Sequence, residues 1–309
     1  RMTSELLKIG IYNQFDDGSQ SHFKRLMGAY NVDFIEYSSI NDMKNSLVNG
    51  EIDLIGTSGL TAFDFGFSPG CDVKNLQIST FLPRRDPTLI LVSKDNLEYL
   101  PRNARIFSNS ELTGLQLKRF RDDFKIINDL DFKINDLNKQ DLVNKLDELF
   151  EEGSIDAYVL ERSEWNQFKK KGRRRSLGMQ IGGEQTRARF IPPPLRGFSI
   201  IISRIGFPSS LFEDLHDLQA MNSYNVESKL LLELDKNELL GINASIRRIS
   251  TISKSLNEEG GFTSDIMDEK ILNIEKFDNE LKNVEQMVEV IVEMLDNSGK
   301  ITYSLEKRY

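Results

Sequence analysis

The chain has 309 residues, 39% of them hydrophobic and 28% charged, with a formal net charge of −8. That length exceeds one ordinary core and suits two or three domains, and an isoelectric point near 5.1 argues against general nucleic-acid binding. A single cysteine, Cys71, excludes an internal disulfide and a cysteine-based metal site, and the two histidines, His22 and His216, are too far apart in sequence to suggest a metal site.

Leu6–Tyr12 (LLKIGIY) reads as a buried strand, and Ser19 and Ser21 can start a helix whose face carries Phe23, Leu26 and Met27. Val32–Tyr37 alternates like a strand. Ile40–Val48 repeats apolar residues at helical spacing, and Asn49-Gly50 ends that helix before a third strand at Glu51–Ser58. Strands alternating with helices at this spacing imply βαβ units and a parallel sheet. Two further strands between Leu76 and Ser93 are broken by Leu82-Pro83-Arg84-Arg85-Asp86-Pro87. The pattern then restarts, with strands at Arg105–Phe107, Phe124–Ile127 and Ser154–Leu160 and helices at Glu111–Phe120, Asp141–Phe150 and Ser163–Lys170. GEID near residue 50 is echoed by GSID near residue 153, so two similar α/β units follow one another. Asp53 and Asp156 recur at matching positions and read as turn or cap residues.

Phe198–Ile202, after Pro192-Pro193-Pro194, reads as a strand returning to the first sheet. Beyond it, Leu211–Leu218 and Val226–Leu234 read as helices, and Ala244–Ile252 and Phe262–Phe277 as strands or loops. Leu281–Leu295 reads as a long amphipathic helix, because Leu281, Val284, Met287, Val288, Ile291, Val292 and Leu295 stand at helical spacing. Residues 1–93 with 190–208 then make a first α/β domain, 97–186 a second, and 211–309 a small α+β domain. Two α/β domains joined by crossing segments leave a cleft, where ligands usually sit in such sheets.

The turn Ser108-Asn109-Ser110 joins a strand to a helix. The first N–H groups of that helix lack intrahelical partners and form a seat for a carboxylate or phosphate, although capping is the commoner use of a serine such as Ser110. Lys169–Arg175 (KKKGRRR) holds six basic residues in seven and reads as a solvated surface loop, with an anionic-partner patch as the alternative. Cys71 reads as a free thiol without a catalytic histidine. No run approaches the roughly 20 apolar residues of a membrane helix, and the opening RMTSELLKIG lacks a signal-peptide apolar region. The expected compartment is the cytoplasm, with neither a membrane nor nucleic acid as partner.

Five stretches carry a resemblance. LPRRDPTLILVS (Leu82–Ser93) follows the pattern R-x-D-P-R-D-A-L-V-S, and SNSELTGLQLKRFRDDFKI (Ser108–Ile126) follows T-S-S-L-R-R-Q-A-Q-L. EEGSIDAYVL (Glu151–Leu160) follows E-G-x-Y-D-A-x-x-L, and PPPLRGFSIIISR (Pro192–Arg204) follows P-A-x-G-Q-G-x-x-x-I-E-C-R. ESKLLLELDKNELLGINA (Glu227–Ala244) follows A-E-R-A-x-L-x-x-L-E-G-G-C-x-x-P-I-G-A. In that order the chain resembles hydroxymethylbilane synthase, also called porphobilinogen deaminase. The resemblance implies an α/β fold: two periplasmic-binding-protein-like α/β domains around a cleft, plus a small C-terminal α+β domain. It also implies an origin in tetrapyrrole biosynthesis, where the family polymerises four porphobilinogens onto a dipyrromethane held by a cysteine thioether.

The same resemblance removes the chemistry. The family's lysine and catalytic aspartate fall on Leu60 and Thr61, and its cofactor-anchoring cysteine falls on or near Glu238, so dipyrromethane attachment is not expected. The paired arginines after T-S-S fall on Leu112 and Thr113, and two other arginines on Tyr12 and Gln167. Each lost charge-assisted bond to a carboxylate is worth about 1.5–3 kcal/mol. What remains for ligand binding is Ser58, Ser108, Asn109, Ser110, Arg196, Gly197 and Arg204. The chain is therefore expected to be a catalytically degenerate homologue, a scaffold for a small anionic or tetrapyrrole ligand or for a protein partner. Two alternatives are an atypical active synthase with a non-covalent primer and a solute-binding module resembling type-2 periplasmic binding proteins.

Overall fold

The computed structural model describes residues 6–12, 17–134, 136–168, 174–179, 186–234, 239–250 and 284–308. Glu238, residues 169–173 of the basic run and the stretch Phe262–Phe277 lie outside the described residues.

The first half of the chain runs β1 (Leu7–Tyr12), α1 (Ser19–Leu26), β2 (Val32–Tyr37), α2 (Ile40–Asn49), β3 (Leu54–Ser58), α3 (Gly59–Asp64), β4 (Leu76–Phe81) and β5 (Leu89–Ser93). It continues with β6 (Arg105–Phe107), α4 (Glu111–Phe120), β7 (Lys125–Ile127), α5 (Asp129–Phe132), α6 (Lys139–Glu151), β8 (Ala157–Glu161), α7 (Arg162–Phe168) and β9 (Arg174–Leu177). The last part holds β10 (Ser199–Arg204), α8 (Leu218–Glu233), β11 (Leu240–Ser250), β12 (Val284–Leu295) and β13 (Ile301–Arg308).

Two five-stranded sheets have orders β2-β1-β3-β10-β4 and β7-β6-β8-β5-β9, and a three-stranded sheet has order β11-β12-β13. In each large sheet the first three strands are parallel, and the fourth runs antiparallel to its neighbours. That fourth strand comes from the other half of the chain: β5 enters the second sheet directly after β4, and β10 returns to the first after β9. Two crossing segments therefore join two α/β units. The protein is an α/β fold of two such units with a small C-terminal unit carrying α8 and an antiparallel sheet.

Strand periodicity builds the layers. In the first sheet Leu54 and Ile201 face one core with Phe23 and Met27, whereas Ile55, Ile200 and Ile202 face another with Met43 and Leu47. That second core also contains Tyr224, Ile242, Ala244, Val290 and Val292, so the C-terminal unit shares its interior with the first α/β unit. In the second sheet Leu89, Leu91 and Ile106 point to one side and Ile90, Val92 and Phe107 to the other.

Local signals set most boundaries. Ser39 caps α2 by accepting the Asp42 N–H at 3.2 Å, and Gly50 ends that helix in the left-handed region at φ 79°. The GEID and GSID echo is one repeated device. Asp53 exchanges backbone bonding with Lys8 (N–H to O 2.9 Å) while its carboxylate accepts the Lys8 N–H at 2.9 Å. Asp156 does the same to Arg105, at 2.8 and 2.7 Å.

Four expectations are corrected. The amphipathic helix expected at Leu281–Leu295 is a strand over Val284–Leu295, paired on both sides by β11 and β13. Its valines and isoleucines satisfy a helical stripe but favour the pleated conformation, and Val290-Ile291-Val292 fills both faces. The helix expected at Leu211–Leu218 is a 3-10 segment at Ser209–Leu215. Asp217 then caps α8 through the Ala220 N–H at 2.7 Å, starting that helix eight residues before the expected Val226. Arg174 and Arg175, read as part of a surface loop, form the edge strand β9 against β5. Among the described residues no helix is long and apolar enough to cross a membrane.

The two crossing segments and the C-terminal unit meet at Arg84, on the first crossing segment. Its Nη2 lies 2.8 Å from the Glu227 carboxylate of α8, its Nη1 donates to Ala244 O at 2.7 Å and its Nε to Arg196 O at 3.0 Å. The guanidinium sits 4.0 Å from the Phe198 ring centroid. Glu227, fully buried, accepts the N–H groups of Leu195 (2.7 Å) and Ala244 (2.9 Å). Burial pushes the Glu227 carboxyl above the ordinary range, and the Arg84 cation opposes that push. Arg84→Met leaves a buried carboxylate without its cation, and unfolding in urea should show a loss of about 3–5 kcal/mol. A loss under about 1 kcal/mol, the scale of an exposed ion pair, would contradict this account.

Candidate functional site

Helices α4, α5 and α6 all begin at the carboxyl ends of the parallel strands β6 and β7, the edge where open α/β sheets bind ligands. The Phe107–Tyr158 pairing places the Ser108-Asn109-Ser110 turn beside the end of β8, where Val159, Leu160 and Glu161 emerge. Between these ends and the second crossing segment lies a cavity of about 580 Å³, within the roughly 300–1,000 Å³ usual for small-molecule sites.

Four of the seven sequence-derived candidates line it: Ser108, Asn109, Ser110 and Arg196. Each also serves the fold. Ser110 Oγ caps α4 by accepting the Thr113 N–H at 3.2 Å, Ser108 Oγ bonds across the turn to Ser110, and Asn109 Oδ1 accepts the Asp129 N–H at 3.1 Å. Arg196 places Nη1 3.7 Å from the Glu161 carboxylate.

Ser58, Gly197 and Arg204 do not line this cavity. Ser58 caps α3, accepting the Thr61 N–H at 3.2 Å and donating to the Thr61 hydroxyl at 3.1 Å. Gly197 has φ +82°, and a Cβ there would lie 2.3 Å from Arg85 O, so this is the close approach of the two crossing segments. Arg204 donates to Leu47 O in the last turn of α2 and to Ile52 O in the loop that follows, each at 2.7 Å. Leu60, standing where the resemblance has a lysine, packs against the shared core, as do Phe63 and Phe65.

The cavity also contains residues that the sequence alone did not single out as site residues: Thr113, Lys139, Glu161 and Glu164. Lys139 pairs with Glu164, which also accepts the Glu161 N–H at 2.8 Å. Burial pushes the Glu161 carboxyl above the ordinary range, while the Arg196 cation pulls it down. Thr113 is wholly buried, and its hydroxyl has no hydrogen-bond partner among the described residues. The one available clue to Glu161 and Lys139 was positional: both sit at the strand-end edge of the second unit.

A second cavity of about 260 Å³ lies between α1 and α7, with Arg25, Arg85, Arg162 and His22 in its wall. Arg85 holds Asp17 (3.4 Å) and Arg162 holds Asp86 (3.1 Å). His22 is buried with Nδ1 2.8 Å from Ser199 Oγ. Burial, aided by the Arg85 and Arg25 cations and opposed by Asp17, lowers its pKa to about 4, so the ring is neutral at pH 7. Among the described residues no group of three or more His, Cys, Asp or Glu could hold a metal ion.

No protein-family model matches the chain. A porphobilinogen deaminase of Natranaerobius thermophilus is 32% identical over 126 residues, which is 40% of this chain and 36% of that protein. The match thus spans about a third of the relative's length. Solved structures of similar shape include YhfZ from Shigella flexneri (14% identity, 75% of this chain and 97% of that one, TM-score 0.30). The periplasmic aliphatic sulphonate binding protein SsuA from Escherichia coli shows 17% identity over 75% and 71% of the two chains at TM-score 0.34. A nutrient binding protein from Burkholderia cenocepacia, solved bound to methionine, shows 14% identity over 75% and 98% at TM-score 0.35. The fold statement rests on the strand order above and not on these superpositions.

The depressed His22 pKa has a sign that can be tested. The unfolded chain takes up a proton at His22 near pH 6.5, whereas the folded chain resists it until about pH 4. Stability is therefore complete above pH 6.5 and falls as pH drops towards 4. The urea midpoint should decline over that window, and His22→Asn should flatten the decline. An equal slope in both proteins would show that His22 does not titrate this way.

Proposed function

We propose that this chain is a divergent relative of the porphobilinogen deaminases that keeps the scaffold for binding a small molecule and has lost the polymerising chemistry. The observation that carries this reading is the cavity at Ser108–Ser110, set against the residues where the resemblance puts reactive groups. Thr61, at the catalytic aspartate's position, has a hydroxyl and no carboxylate, and that hydroxyl is bonded to Ser58 at the start of α3. Leu112 and Thr113, at the arginine pair's positions, are both wholly buried. Losing a general acid–base group alone typically lowers a rate by about 10²–10⁴. The scaffold that surrounds these positions is intact, with caps at Ser58, Ser110 and Asn138.

The test uses purified, folded protein incubated with porphobilinogen, following substrate with Ehrlich's reagent and product by uroporphyrin absorbance. The expected result is no loss of substrate above the buffer blank, and sustained turnover would overturn the loss of chemistry. The binding half is read separately, by calorimetry against small metabolites, including the anions and tetrapyrroles that the resemblance implies. No binder anywhere in that panel would discard it.

A further inference from the structure

The wall of the larger cavity is richer in acid than in base. Among the described residues, Glu111, Asp129, Glu161 and Glu164 share it with two cations, Lys139 and Arg196. Such a wall repels a ligand carrying several carboxylates and attracts one that brings a cation of its own. This inference rests on the binding reading above and names the class of ligand.

The four carboxylates are not equivalent. Glu164 is committed to Lys139 and to the Glu161 N–H. Glu111 stands in the first turn of α4, complementing the positive helix end. Asp129 occupies the corresponding place in the short helix α5. Glu161 differs, because its side chain has no hydrogen-bond donor in reach among the described residues. Its ion-pair contact, Arg196 Nη1, lies at 3.7 Å, beyond hydrogen-bond distance. Its side chain is 29% exposed, enough to meet a ligand and too little to be fully solvated.

A set of donors for the opposite charge lies in the same wall. The ten-residue helix α4 opens on the cavity, and only its Thr113 N–H is taken by the Ser110 cap. The Thr113 hydroxyl, wholly buried and without a partner among the described residues, is a second donor in the same wall. An unpartnered buried hydroxyl costs free energy that a bound acceptor would recover. α4 follows β6, β6 pairs with β8, and β8 ends in Glu161, so Thr113 and Glu161 stand in the wall of the same cavity. One small molecule in that cavity has both within its surroundings.

We infer that the cavity takes a small zwitterion of amino-acid type, its carboxylate at the start of α4 against Thr113 and its ammonium group on Glu161. Isothermal titration of the full chain with the twenty free amino acids tests this, with the N-acetyl and amide forms of any binder and with succinate and glutarate. At least one free amino acid should bind, and removing either its cation or its anion should weaken it about tenfold or more, the scale of one charge-assisted bond. Glu161→Gln should weaken the amino acid similarly while leaving the melting curve in place, and Thr113→Val should act in the same direction. Should dicarboxylates or tetrapyrroles bind and no free amino acid do so, the zwitterion inference falls and the binding reading stands. Equal affinity for the N-acetyl form also overturns the inference, and no binding by any of these compounds or by the metabolite panel overturns both.

Discussion

The Arg84–Glu227 pair ties both crossing segments to the C-terminal unit. Removing two charges from water costs several kcal/mol each, and the pair's attraction offsets that only with good geometry and satisfied neighbours. Here both conditions are met. Arg84 reaches Arg196 O and Ala244 O, Glu227 takes two backbone N–H groups, and the Phe198 ring covers the guanidinium. Both crossing segments, α8 and β11 converge on one buried contact. Its contribution is a fixed arrangement more than raw stability, because apolar residues of equal volume often stabilise as well. For the cavity the consequence is direct: the Arg196 carbonyl is held by Arg84 Nε, which sets where the Arg196 side chain departs towards Glu161.

A second buried ion pair extends the frame. Arg119 of α4 meets the wholly buried Glu293 of β12 at 2.7 Å and donates to Arg189 O on the second crossing segment. Beside it, Gln116 donates to Ile191 O at 3.0 Å. The second α/β unit is thereby tied to the C-terminal sheet by the same helix whose start opens on the cavity. One end of α4 presents donors, and the other end is anchored. The two α/β units share a plan down to the Asp53 and Asp156 caps, yet differ at the strand ends: β3 ends in Ser58, which caps α3, whereas β8 ends in Glu161, which faces the cavity.

Sequence signals that act over a few residues were legible. α4 has the predicted limits, Glu111–Phe120, because a serine cap precedes it and its apolar stripe ends where Arg121 turns back on Asp123. The strand at Phe198–Ile202 was legible as a return to the first sheet, since a run that is apolar except for Ser199, after three prolines, suits a strand buried on both faces. Non-local information was not legible. β12 satisfies a helical stripe and a pleated pattern equally, and its pairing with β11 and β13, which no short window contains, decides between them. The site divides the same way. The Ser108–Ser110 turn is a local strand-to-helix signal, whereas Glu161 and Lys139 come to that turn only because β8 inserts beside β6 and α6 begins at the same edge.

The buried positions of Leu112 and Thr113 also bear on how far this cleft has moved from the one it resembles. A pair of guanidinium groups needs water, carboxylates or a bound polyanion around it, since an isolated buried cation is costly. Leu112 and Thr113 are wholly enclosed, and Thr113 belongs to a wall that elsewhere carries Glu161 and Glu164. An arginine at Thr113 would set a cation where side-chain volume is already filled, and the carboxylates in the cavity wall would then compete with any acidic ligand for it. Among the described residues Arg196 is the arginine in the cavity wall and it faces Glu161, whereas Arg85 pairs with Asp17, Arg162 with Asp86, and Arg204 reaches Leu47 O and Ile52 O. The charge pattern is thus consistent across the site, and it disfavours a growing polycarboxylate for the same reason that it favours a ligand carrying its own positive group.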